Sequence, residues 1–139
     1  MIRIKRTAVV MIALCSSALP LLSGCTPSTG FYEVEGTVTH NGEPVPKVFL
    51  IFHPANPDIH PEAMAMSDEQ GRYKMMVGNS PGVPPGEHTV YATDPAAVQG
   101  GSSSDDPDYK EVITKYGPGT STYKVTIDKD ESELELKLD

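Results

Sequence analysis

Seven residues with metal-binding side chains lie in the middle of this chain: His53, His60, Met64, Met66, Met75, Met76 and His88. Imidazole and thioether together suit Cu(I). Met64 and Met66 are two apart, so on a strand they share one face, and His60 stands shortly before them. These three are the copper candidates. Packing is the competing reading, because Met75 fits an inward core position and methionine fills core gaps readily. His40-Asn41-Gly42-Glu43 has the His-x-x-Glu spacing of a zinc pair. A catalytic zinc needs a third protein ligand and an open position, and Asn-Gly is explained by a tight turn alone. Asp105-Asp106-Pro107-Asp108 offers oxygens to Ca²⁺ but lacks the spacing of a calcium loop, and reads better as a solvated loop with a helix cap. Tyr32, Tyr91, Tyr109, Tyr116 and Tyr123 would make a carbohydrate-stacking platform if they shared a surface, though tyrosine also suits strands and cores. Ser, His and Asp are all present, but no Gly-x-Ser-x-Gly elbow is. No catalytic residue, cofactor or metal is assigned, and His60, Met64 and Met66 stay as an alternative.

The other reactive group is Cys25. Arg3, Lys5 and Arg6 form a positive start, Thr7 to Leu22 is mostly apolar, and Ser23-Gly24 supplies a small pair before the cysteine. That is the build of a secretory signal peptide, and its apolar part is too short and broken for a spanning helix of about 20 residues. Leu22-Ser23-Gly24-Cys25 resembles the lipobox of bacterial lipoproteins. The resemblance implies that the Cys25 thiol is lipidated and that the chain is cut just before it. Two acyl chains would make such an attachment effectively permanent. Thr26 follows where inner-membrane lipoproteins often carry Asp, which leans towards an outer-membrane location.

Loss of residues 1–24 leaves 115 residues, one domain's worth. It removes three of the 11 basic residues and none of the 19 acidic ones, so the net charge falls from −8 to −11. Such an acidic surface argues against nucleic acid and against charge-driven binding to anionic lipid. Of the two cysteines, Cys15 leaves with the leader and Cys25 is the lipid site. The domain then has no disulfide, thiolate zinc site or blue-copper site.

The rest of the chain must position these groups, and its pattern is β. Residues 26–30 are a polar linker that spans at most about 18 Å. Tyr32, Val34, Gly36 and Val38 alternate with polar residues, and Gly36 suggests a bulge or a close backbone approach. Asn41-Gly42 is a hairpin turn. Val48 to Phe52 is an unbroken apolar run, which fits a strand buried on both faces. Ala63 to Ser67 is a short strand, Arg72 to Val77 alternates with Tyr73, Met75 and Val77 inward, and Glu87 to Thr93 is the next strand. Within residues 94–121, Tyr109, Val112, Ile113 and Tyr116 have helical spacing, with Asp106 to cap, Pro107 at the first position and Gly117-Pro118 to stop. Tyr123 to Ile127 and Leu134 to Leu138 close the chain as alternating strands, and the outward charges of the second protect a sheet edge. The prediction is an all-β sandwich of about seven strands.

Several segments in order point to a family. Val34-Glu35-Gly36-Thr37-Val38, Asn41-Gly42-Glu43-Pro44-Val45, Val48 to Phe52, Asp68-Glu69-Gln70-Gly71-Arg72-Tyr73 and Pro85-Gly86-Glu87-His88-Thr89-Val90 together resemble the carboxypeptidase regulatory-like domain. Lys115-Tyr116 and Thr120-Ser121, before the last strand, resemble short bacterial lipoproteins built from one such domain. The resemblance covers most of residues 31–139. It implies a transthyretin-like, immunoglobulin-like sandwich that serves as an accessory or recognition module. His88 departs from the family, which usually has an aromatic there. Hydroxyisourate hydrolases share the fold but end in Tyr-Arg-Gly-Ser, whereas this chain ends Leu136-Lys137-Leu138-Asp139, so that activity is not supported.

The expected organisation is a lipoprotein signal peptide over 1–24, a lipidated start and linker over 25–30, and a sandwich domain over 31–139. The expected function is non-enzymatic: a palmitate-bearing protein on the periplasmic side of the envelope or at the outer membrane or cell surface, contacting an envelope protein or polymer. The alternative is a lipoprotein that binds carbohydrate, or copper through Met and His.

Overall fold

The computed structural model describes residues 30–139, so the expected signal peptide, Cys25 and most of the expected linker lie outside the described residues. β1 (Val34–His40) buries Val34, Val38 and His40 and leaves Glu35, Thr37 and Thr39 half-exposed, as its alternation requires. Asn41 and Gly42 both take positive φ, 51° and 83°, which turns the chain tightly into β2 (Glu43–Pro44). β3 (Phe49–Pro54), β4 (Ala63–Met66), β5 (Arg72–Lys74), β6 (Met76–Val77), β7 (Ser80–Pro81) and β8 (Gly86–Thr93) follow. After two helices come β9 (Lys124–Ile127) and β10 (Glu131–Lys137). Seven of these ten strands are three residues or longer, while β2, β6 and β7 are two-residue pieces.

Two sheets form the sandwich. The smaller runs β10–β1–β2, with β5 also paired to β1. The larger runs β7–β6–β4–β3–β8–β9 and is antiparallel throughout. Their inner faces share one core in which Phe52, Leu50, Met75, Ile127, Leu136 and Leu138 are fully buried. His88 joins them, its ring 6.1 Å from that of Phe52, so the imidazole fills the place expected of an aromatic.

Gly36 makes the close approach its type suggested. A Cβ there would stand 1.9 Å from the carbonyl oxygen of Leu134 on β10, where the β1–β10 register shifts. One expectation is corrected. The Val48 to Phe52 run is not buried on both faces: Val48, Leu50 and Phe52 face the core, while Phe49 and Ile51 are half-buried on the outer side. The alternation from Arg72 holds to Val77, with Tyr73 and Met75 buried and Val77 packed half-buried against the core, although the chain changes sheet at Met75. Its N–H donates to Val34 (2.8 Å) and its carbonyl accepts from Gly82 (2.9 Å). The last two strands belong to different sheets, and β10 lies at the sheet edge that its outward charges suggested. β9 extends the larger sheet, and β10 crosses to lie parallel to β1.

Residues 94–121 hold more helix than expected. α1 (Pro95–Gln99) starts on Asp94, whose carboxylate accepts the Ala96 N–H at 2.9 Å. α2 (Pro107–Lys115) starts on Asp106, which accepts from Asp108 and Tyr109 at 2.8 and 3.4 Å. Tyr109, Val112 and Tyr116 are buried against the sandwich, and Tyr116 donates its hydroxyl to the main-chain oxygen of Asp139 at 2.5 Å.

Candidate interaction face

Strand register sets the outward side chains of the larger sheet in rows. In one row Met66, Phe49 and Thr93 stand side by side on β4, β3 and β8. In the next, Met76, Met64, Ile51 and Tyr91 do so on β6, β4, β3 and β8. Neither row contains a charged side chain. Met64 and Met66 are 38% and 43% exposed, and Phe49, Ile51, Met76 and Tyr91 are half-buried. Charged groups flank the rows at both ends: Lys47 pairs with Glu69 at 2.9 Å beside Met66, and at the other end His53 is bonded to Glu62 at 2.5 Å with its ring 5.7 Å from that of Tyr91, and Lys124 pairs with Glu87 at 2.7 Å.

The smaller sheet is the opposite. Its outer side carries Lys74 between Glu33 (3.3 Å) and Glu35 (3.5 Å), and Lys137 beside Glu135 (3.3 Å). Arg72 reaches Asp68 (3.0 Å) in the adjoining turn. The hydrogen bond from Lys74 to Glu33 holds its ammonium above the usual range, and the main-chain N–H of Arg72 holds Asp68 below it. These pairs are exposed, so each adds little stability, but they make that surface hydrophilic.

A cleft of about 640 Å³ adjoins Met66, between Lys47, Asp94, the 99–104 loop and Tyr109. Its titratable groups are already engaged. Asp94 sits below the usual carboxylate range through its bond with the Ser103 hydroxyl and its capping of α1. Tyr109 is pushed up to about 12 by burial, and its hydroxyl donates to the Lys47 carbonyl at 3.3 Å. Lys47 pairs with Glu69 at 2.9 Å.

The structure therefore sorts the residues singled out by type. Met64 and Met66 do share one face. His60 is set apart from it, in the loop before β4, with its main-chain N–H on Asn56 and its imidazole near enough to His88 to act on it electrostatically. Met76 takes its place beside the two methionines, directly opposite Met64. The His40–Glu43 pair is split by burial. His40 is buried with Nδ1 against the Leu138 carbonyl and Nε2 without a partner, whereas Glu43 is exposed. Among the described residues no three His, Cys, Asp or Glu side chains are grouped to hold a metal ion. Asp105 pairs with Lys110 while Asp106 caps α2, as a helix-start reading requires. The five tyrosines are dispersed: Tyr109 and Tyr116 are buried, Tyr123 meets Tyr116 edge-on at 6.0 Å, Tyr91 lies on the outer face and Tyr32 bridges to Val83. Phe49 and Ile51 belong to the face but read as core in the sequence. The signal that marks them is the pairing of their alternate positions with Met66 and Met64, which only a register supplies.

Compared with models of known protein families, with curated proteins and with solved structures, the chain finds no match.

Proposed function

We propose that this chain is an exported lipoprotein, a β-sandwich held at an envelope membrane by acyl chains on Cys25, and that it works as a non-catalytic interaction module for an envelope protein or polymer. The difference between its two outer faces carries this reading. One is apolar and uncharged over two full rows, and the other is laced with ion pairs. An exposed apolar patch on an otherwise strongly acidic domain marks a contact surface. The Leu22-Ser23-Gly24-Cys25 motif supplies the attachment, since no helix among the described residues is long and apolar enough to cross a membrane. The ordered motifs that resemble a carboxypeptidase regulatory-like domain favour an accessory role as well.

The test is made in cells that export the full chain. Fed labelled palmitate, they should place label on the wild type and none on Cys25→Ser; equal labelling of the two, or none on either, overturns the anchor. Photo-crosslinking of the same chain in intact cells should give a reproducible envelope adduct. A chain that gives none, and that turns over a small molecule when purified, overturns the module.

A second reading is a Cu(I) carrier, favoured by three thioethers, Met64, Met66 and Met76, on one sheet face. Here Met76 replaces His60. Anaerobic competition against a Cu(I) chelator tests it, with binding lost when the three methionines become leucine.

A further inference from the structure

We propose that the two apolar rows on the outer face of the larger sheet lie against the lipid bilayer surface, so that the domain rests on its membrane instead of projecting from it. This deepens, and rests on, the lipid anchor proposed above.

The chain joins the sandwich where its two sheets meet. Tyr32 bridges to Val83, with N–H to carbonyl distances of 2.9 and 2.8 Å, and Gly82 packs so closely under Phe31 that a Cβ there would stand 2.8 Å from the Phe31 Cβ. Gly82 follows β7, whose Pro81 pairs with Met76. From Met76 the row runs through Met64 and Ile51 to Tyr91. At about 4.8 Å per strand it extends about 14 Å. Between Cys25 and Phe31 lie six residue steps, which span about 21 Å at full stretch. An acyl group on Cys25 therefore holds the bilayer within reach of both outer faces at all times.

Chemistry decides between the faces. On the smaller sheet, Glu33, Glu35 and Lys74 stand just past the tether, with Glu133 and Glu135 beyond them. Pressing that surface on lipid would strip water from carboxylates in a domain of net charge −11. The larger sheet presents Met76, Met64, Met66, Phe49, Ile51 and Tyr91 in two rows without a carboxylate, and the carboxylates beyond them, Glu62 and Glu87, are paired with His53 and Lys124. Unbranched thioethers adapt to an irregular surface, and an aromatic ring with a hydroxyl suits the boundary between acyl chains and water. A tethered surface also competes from a high effective concentration, whereas a second copy of the chain has to be recruited. With this face down, the contact surface that the apolar rows mark is used on the bilayer, and the envelope partner is met on the ion-paired sheet, which points away from the membrane.

The test uses the full-length chain, purified from membranes and returned to phosphatidylcholine vesicles that carry nitroxide-labelled lipid. Cys15 departs with the leader and Cys25 is acylated, so an introduced cysteine is the only thiol open to a fluorophore. An environment-sensitive label is placed through Met64→Cys on one face and Glu135→Cys on the other, with Met66→Cys as a second site on the first face should Met64→Cys misfold. The expected result is a blue-shifted emission at position 64 that the nitroxide lipid quenches several-fold more strongly than at 135. Equal quenching at both positions overturns the proposal, and so does no quenching at 64. A blue shift at 64 without quenching overturns it in favour of a protein or a second copy on this face. The mass of the purified chain separates the two levels. Acylation with an unquenched position 64 removes the bilayer contact alone, and a chain with no acyl group removes the anchor and this inference together.

Discussion

Met64 on β4 stands directly opposite Met76 on β6, on the side of the larger sheet that faces away from the core. Such a cross-strand pair brings Cβ atoms to about 5 Å, within easy reach of two long, flexible side chains. Met66 lies one pleat further on the same face. The cluster has two separable properties, its sulfur and its apolar area. Copper binding depends on the first, and contact with a membrane depends on the second.

Leucine separates them. Met64→Leu, Met66→Leu and Met76→Leu keep the area and discard every thioether of the face, at a cost expected below about 1.5 kcal/mol each. The triple variant should keep the lipid quenching of a label on this face and should bind no Cu(I) in chelator competition. Met64→Glu with Met66→Glu should do the reverse to the membrane contact, abolishing it, with stability changed by less than about 0.5 kcal/mol at each of these exposed sites. Thermal melting of both sets separates these effects from unfolding.

Gly36 and Gly78 should respond very differently to the same change. At Gly36 an added Cβ meets main-chain atoms of Leu134, at 1.9 Å from the oxygen, and no rotamer can relieve that. Gly36→Ala should pry β10 from β1 and destabilise the domain by about 3 kcal/mol or more, read from urea unfolding. Gly78 has φ of 58° and open space around its Cα, so Gly78→Ala should cost only about 1 kcal/mol.

Gly36 also shows which parts of the fold are legible in the sequence. Its type within an alternating strand signals a close approach, Asn41-Gly42 signals a two-residue turn, and Asp106-Pro107 signals a helix start. Each is a local steric or hydrogen-bonding demand that neighbours in the chain reveal. Phe49 and Ile51 are different. A continuous apolar run looks the same whether its second face meets a core or open surface, and only the register that sets them beside Met66 and Met64 decides. The change of sheet at Met75 and the parallel placement of β10 likewise depend on partners far away in sequence. The lipid site proposed at Cys25 is the converse case, since it rests on a four-residue motif alone and lies outside the described residues.

Asp106 fixes the start of α2, and through it the cover over one end of the core. Its carboxylate accepts from the N–H groups of Asp108 and Tyr109. Asp106→Ala should cost about 1 kcal/mol and speed hydrogen exchange across residues 107–116. Asp105→Ala removes only an exposed pair with Lys110 and should leave both readouts unchanged within about 0.5 kcal/mol.

His88 should make the domain sensitive to acid. Nε2 lies 2.8 Å from the Pro84 carbonyl, so in the neutral ring it carries the hydrogen and donates it, while Nδ1 is buried with no partner. Burial lowers the pKa of this imidazole, more than its bonding to main-chain groups raises it, and the nearby His60 and His53, the latter bonded to Glu62, act in the same direction as burial. The unfolded chain then binds a proton near pH 6.5 that the folded chain refuses until lower pH. Stability therefore rises with pH through this window: the contribution of His88 is fully present above about pH 6.5 and is lost as pH falls, with a slope of at most about 1.4 kcal/mol per pH unit. His88→Phe keeps a flat ring beside Phe52 and removes the titration, and His88→Gln keeps a donor for Pro84. Subtracting the urea stabilities of either variant from the wild type between pH 7.5 and pH 5 should give a difference that falls as the pH is lowered. A flat difference for both variants would show that the core admits the imidazolium, and that Nδ1 finds a partner when it is protonated.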